Sequence, residues 1–261
     1  DLKRWSGWLA LVIAFSVACA LLSNWQFSRR EEALAAMHQV AMNYDSPAVG
    51  IDSLATPNSF DPKNQWRQAN LRGHYLLGNS VLVRNRPLDG QPGFLSLVPF
   101  QLIDGRIIAI ERGWIASDDN YSAPKTYPLP SPDVQQVIVR LRPSEPTLDR
   151  NAPMGQLATI NIEALVKSQG IKDQMFMNVY GRMVAESIPA SRNLKALAKP
   201  ELDEGNHLSY ALQWIMFALM AMAALYWGIK KEREAKYGKK TTKSGRKSIG
   251  QEDADIEDAL S

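Results

Sequence analysis

His207, Tyr210 and Trp214 follow one another at intervals of three and four residues, so on a helix they share one face. A neutral imidazole is a good ligand for iron, and two aromatic rings offer flat walls. Ala211, Ala218 and Ala221 fall on the same face and leave room for a large planar molecule. The chemistry this set fits is a shallow haem-type site with His207 on the iron. A plainer reading stands beside it. His, Tyr and Trp are common where helices leave a membrane, and alanines pack helices together. A second set, Trp25, Gln26 and Arg29, ends another apolar run and lines the same groove if the two helices pack side by side.

Other reactive groups are sparse. Arg84 and Arg86 fall on one face of an expected strand, as do Arg140 and Arg142. Guanidinium forks bind carboxylates, or they form a solvated face paired with Asp89, Glu111 or Glu145. The one cysteine, Cys19, lies within an apolar run, which excludes an intramolecular disulfide and a thiolate cluster. The three histidines, His38, His74 and His207, are far apart, and His38 reads as a surface residue. No HExxH, CxxC, GxSxG or phosphate-binding loop is present, and no nucleophile–base pair supports an enzyme.

The elements that must position these residues begin with two apolar runs. Asn206–Trp227 holds some twenty residues without formal charge, closes on Tyr226–Trp227 and is followed by Lys230–Lys231. A helix of that length spans about 30 Å, the thickness of a bilayer's hydrocarbon core. Trp5–Leu22 is the other, and reads as an uncleaved signal anchor; the chain starts at Asp1, without a methionine. The expected layout is a cytoplasmic stretch 1–4, a first span 5–27, an extracytoplasmic domain 28–205, a second span 206–229 and a charged, unstructured tail 230–261. Nine Lys/Arg between Lys230 and Lys247 place both ends in the cytoplasm of an inner or plasma membrane; Arg29–Arg30 weakly oppose this. From Arg29 to Glu204 there are 19 basic and 19 acidic residues, so the overall +3 resides in the ends. That balance argues against a nucleic-acid partner and suits anionic lipid headgroups. Ala10, Ala14 and Ala18 form a small-residue stripe, expected to pack on the second helix or on a partner's helix. Trp25 and Arg29, four apart, are placed for a cation–π contact.

Between the runs, strands are expected at 68–76, 79–87, 94–103 (with Pro99 marking an edge or bulge), 106–114, 134–143 and 174–186. Asp104–Gly105 marks a hairpin, 116–132 an extended excursion, and Asn161 caps a short helix over 162–168 that stops near Gly170. Trp114 reads as core. The fold class is a membrane protein whose two transmembrane helices flank a mainly antiparallel β domain, a small barrel or sandwich with some helix.

Three segments in order resemble the SURF1 family of cytochrome c oxidase assembly proteins: Asn24–Arg29 (NWQFSR); LRGHY, VRNRPLDGQPG and ERGW within Leu71–Trp114; and Asn206–Trp214 (NHLSYALQW). The region 156–162 lacks the tryptophan expected of the family, and the tail is longer than in many members. The resemblance implies a chaperone-like role in respiratory-chain assembly, binding haem a or helping to insert it into the oxidase's catalytic subunit. It also implies that His207 matches a histidine tied to haem a in some members. Partners would then be that subunit, other respiratory-complex subunits and membrane lipid. The alternative is a structural accessory subunit of the oxidase or a supercomplex, without haem of its own.

Overall fold

The computed structural model of the protein describes residues 2–148, 150–171, 174–190 and 194–243. It divides into two compact units, Ala35–Leu202 on the one hand and Asp1–Leu34 with Asp203–Ser261 on the other. There are three described α-helices: α1 (Leu2–Asn43), α2 (Ile162–Gln169) and α3 (His207–Lys243). α1 and α3 are long and apolar enough to cross a membrane. The helix expected to continue through 31–40 does so, since nothing between Gly7 and Pro47 breaks it. The segment after Lys230, expected to be unstructured, is helical to Lys243. Good helix formers and the i,i+4 pairs Lys230–Glu234 and Glu232–Lys236 carry it on. The remainder of that tail lies outside the described residues.

Ten strands build the central unit among the described residues: β1 (Val49–Gly50), β2 (Ala55–Thr56), β3 (Ser59–Phe60), β4 (Gln68–Tyr75), β5 (Val81–Val83), β6 (Gly93–Leu102), β7 (Ile107–Ala116), β8 (Gln135–Pro143), β9 (Gln156–Leu157) and β10 (Val179–Glu186). Pairing runs β4–β8–β10–β7–β6 and returns to β4, closing a ring of five strands. Four of these contacts are antiparallel. β7–β10 is parallel, as are the short pairings β1–β4 and β5–β9, so the sheet is mixed but mainly antiparallel, as expected.

Alternation in β8 buries Val137, Val139 and Leu141 inside the ring with Leu71, Val98, Phe100, Ile108 and Ile110. Each fully buried side chain of this kind contributes about 1.5–3 kcal/mol. β6 and β7 are buried on both faces, which is why their apolar residues are not confined to alternate positions. Their other face, with Leu95, Leu97, Ile107 and Ala109, is covered by Ile162 and Leu165 of α2. α2 starts where Asn161 accepts a hydrogen bond from the Ala164 N–H and ends at left-handed Gly170. Ring closure brings β4 against β6 so tightly that a Cβ on Gly73 would meet the Gln101 carbonyl oxygen at 1.9 Å. Pro99 sits where β6 changes partner from β5 to β4, so its missing N–H breaks no ladder bond there; the bulge lies instead at Ser96–Leu97.

Two expected strands are shorter than the pattern implied. The 79–87 segment is a strand only over Val81–Val83, because Asn85 turns into the left-handed region at φ 56°. Arg84 and Arg86 therefore do not share a strand face. In 174–186, only Val179–Glu186 is strand, and Met175 makes a single bridge to Ile107. Just after α1, Arg140 of β8 lies 3.7 Å from the Tyr44 ring centre and Arg142 4.0 Å from that of Trp66, and Val40 of α1 clusters with both rings.

Candidate functional site

Heptad-like stripes pair α1 with α3. On α1 the sheltered residues are Trp5, Val12, Ser16, Cys19, Ser23, Gln26 and Arg30; on α3 they are His207, Ala211, Trp214, Ala218, Ala221, Leu225 and Gly228. Spacings of three, four and seven keep one face of each helix turned to the other. The stripe Ala10, Ala14, Ala18 is exposed and does not form this contact. The side chains that do include small ones (Ser16, Cys19, Ser23, Ala211, Ala218 and Ala221), and several are polar. The Ser23 hydroxyl donates to the Ala211 carbonyl at 3.1 Å, both residues being buried. At one end of the pair Glu232 accepts from Trp5 Nε1 at 2.8 Å and pairs with Arg4 and Lys236.

The other end holds the predicted site. His207 Nδ1 lies 2.9 Å from Gln26 Oε1, across 181 residues of sequence. One turn further along α1, Arg30 pairs with Glu204 at 3.0 Å. The turn entering α3 is set by Gly205, with φ +68°, whose N–H donates to Asp203 Oδ1 at 2.8 Å. Gly205 flanks the outer edge of the His207 ring: a Cβ there would lie 3.4 Å from Cδ2 and 3.5 Å from Nε2. Nε2 has no hydrogen-bond partner among the described residues. A half-buried imidazole with one nitrogen engaged and the other beside a bare glycine is a fit donor for a metal held in a planar ligand.

The remaining predicted residues are spread around this pair. Tyr210 and Trp25 are about half exposed. Trp214 is half-buried and packs edge-on to Phe217, ring centres 5.8 Å apart. Arg29 pairs with Glu32 on its own helix at 2.6 Å, and no contact with Trp25 is made among the described residues. Its neighbour Arg30, which spacing arguments passed over, faces α3 instead. The signal that could have found it is polarity: Ser16, Ser23, Gln26 and Arg30 interrupt or end an apolar run along a single face.

The arginines of the central unit are mostly committed. A cavity of about 640 Å³ is lined by Arg84, Arg86, Arg150 and Glu145, among others. Arg86 closes on Glu145 as a two-pronged fork. Burial pushes the Glu145 carboxyl up, but Arg86, the Ile160 N–H and nearby Arg142 outweigh it and hold the group below its usual range. Deeper in, burial raises Glu111 despite its 3.0 Å contact to Arg182. Trp114 is core, and its indole donates to the Arg86 carbonyl at 2.6 Å. His38 is exposed, as expected.

A SURF1 family model matches residues 13–219, which takes in β4–β10, the paired part of α1 and the His207 end of α3. The chain belongs to the SURF1 family. A SURF1-like protein of Mycobacterium tuberculosis is 31% identical over 89% of this chain and 88% of its own length. The cytochrome oxidase assembly protein Shy1 of Saccharomyces cerevisiae is 28% identical over 117 residues, 42% of this chain and 28% of that protein. A SURF1-like protein of Dictyostelium discoideum is 28% identical over 44% of this chain and 45% of its own. The SURF1 match includes Trp25, Gln26, Arg29, His207, Tyr210 and Trp214.

Proposed function

We propose that this protein is an assembly factor for cytochrome c oxidase that carries haem a as cargo at the His207 end of the α1–α3 pair. Family membership and the similarity to Shy1 support the assembly role. The observation that carries the haem reading is the His207 ring, tied at Nδ1 to Gln26 and open at Nε2 beside Gly205. In this reading α1 and α3 cross the membrane with both ends cytoplasmic, on the basic residues after Lys230, and the central unit is extracytoplasmic. His207 then lies at the outer headgroup level, where a flat, largely apolar cargo with charged propionates is partly sheltered from water. Haem a, when bound, would supply an iron centre that an imidazole nitrogen can ligate.

His207 supplies that nitrogen. Tyr210 and Trp25 offer aromatic surface at the membrane boundary, and Trp214 closes the apolar side one turn deeper.

The test is the optical spectrum and pyridine haemochrome of the full chain, purified from membranes that make haem a, compared with His207→Ala. Haem a present in the wild type and lost in a folded His207→Ala protein is the expected result. No haem in either refutes carriage by this chain and leaves the accessory-subunit reading, for which stoichiometric co-purification with active oxidase is the mark.

A further inference from the structure

We infer that Gln26 is a positioning residue that selects the tautomer of His207, so that pairing of α1 with α3 holds the metal-binding lone pair of the neutral ring on Nε2. The inference rests on the haem reading for its purpose, but its physical content is a property of the empty-handed protein. Imidazole nitrogens are not interchangeable: in the neutral ring one donates a hydrogen and the other holds the lone pair that binds a metal. The oxygen of a glutamine amide can only accept. With that oxygen 2.9 Å from Nδ1, the contact favours the tautomer with its hydrogen on Nδ1 and its lone pair on Nε2.

Three further features point the same way. Nε2 is the nitrogen without a protein partner among the described residues, and it is the one beside Gly205, where no side chain stands over it. Gln26 belongs to the inward stripe of α1, flanked by Ser23 one turn before it and Arg30 one turn after it. Both neighbours are themselves tied across to α3 or its leading turn, by the 3.1 Å bond to Ala211 and the 3.0 Å pair with Glu204. The register of the two helices thus holds the amide in place from both sides. Separating the helices would remove the acceptor, free the ring to rotate and let the other tautomer form. Loading and helix pairing are linked by one hydrogen bond.

The experiment reads the tautomer directly. Full-length protein in detergent, with ¹⁵N-labelled histidine, gives separate ring-nitrogen signals for protonated and unprotonated nitrogens, and the His207 pair is assigned by its loss in His207→Ala. The wild type is expected to carry its hydrogen on Nδ1. Gln26→Leu should move it to Nε2 or to a mixture. Gln26→Glu, which keeps an acceptor, should restore the Nδ1–H form. Titration with ferric haem a should show binding about 10–100-fold weaker in Gln26→Leu, the usual effect of losing such an orienting partner, and recovery in Gln26→Glu. A wild-type ring with its hydrogen on Nε2 overturns the inference, as does a folded Gln26→Leu protein that keeps the Nδ1–H form. A wild type that shows the Nδ1–H form, responds to Gln26→Leu and yet binds no haem a leaves the tautomer control standing and retires the haem reading.

Discussion

Replacing Glu186 by Gln should destabilise the central unit far more than an ordinary ion-pair deletion. Arg112 and Glu186 are 1% and 4% exposed and meet at 2.9 Å. The Tyr75 hydroxyl donates to the second carboxylate oxygen at 3.2 Å, Arg112 also donates to the Pro128 carbonyl at 3.3 Å, and the guanidinium lies 5.5 Å from the Tyr75 ring centre. The cluster ties β7, β10 and β4 to the long excursion after β7. Gln keeps the shape and much of the hydrogen bonding but removes the charge, leaving Arg112 buried without a counterion. Two unit charges about 4 Å apart at an effective dielectric of about 20 attract by about 4 kcal/mol, and breaking a buried pair from one side costs about 3–5 kcal/mol. Since Gln retains polar contacts, about 3 kcal/mol is expected, equivalent to a fall of about 6–12 °C in Tm for a unit of this size. The assay is thermal unfolding of the full chain in detergent, followed by near-ultraviolet circular dichroism, with Arg112→Met/Glu186→Gln alongside. The double variant removes the stranded charge and should regain at least half of the loss. A fall below about 2–4 °C, the equivalent of about 1 kcal/mol, or a double variant no better than the single, refutes the reasoning.

Two other acidic groups of the central unit, Glu111 and Glu145, should titrate in opposite senses. Burial raises the Glu111 pKa above its ordinary 4.5, so its contribution is full below that value and is lost as pH rises through the folded pKa; Glu111→Gln should flatten that decline in a pH series of Tm. Glu145 is held low, so its contribution is present above 4.5 and lost as pH falls through the folded pKa; Glu145→Gln should remove that acid-side loss. Gly73→Ala should cost at least about 1–3 kcal/mol in denaturant unfolding, because the Gln101 backbone must move to admit a methyl group. A neutral result there would mean that β4 and β6 do not close the ring.

What the amino-acid sequence determined by itself was local. Two uncharged runs dictate long helices, since they are rich in good helix formers and no proline interrupts them, and each is long and apolar enough to cross a membrane. The Asn161 cap, the Gly170 stop, the hairpin at Asp104–Gly105 and the alternation of β8 each follow from residues within a few positions of one another. The three motifs of the SURF1 family were legible for the same reason. Tertiary structure decided everything that joins distant residues. Asn85, in the left-handed region at φ 56°, cut a nine-residue apolar-polar pattern to a three-residue strand. Arg112 and Glu111 look like solvated strand residues in the chain, yet both are buried, because neighbouring strands and the loop after β7 cover them. Small residues occur on two faces of α1. Which face meets α3 depends on a partner 180 residues away, and the face with Ser23 and Gln26 prevails because its polar atoms find acceptors and donors there. His207 could be picked out by its type and place in the sequence. That Gln26, and not Trp25 or Arg29, reaches it is a consequence of helix register, which no local pattern encodes.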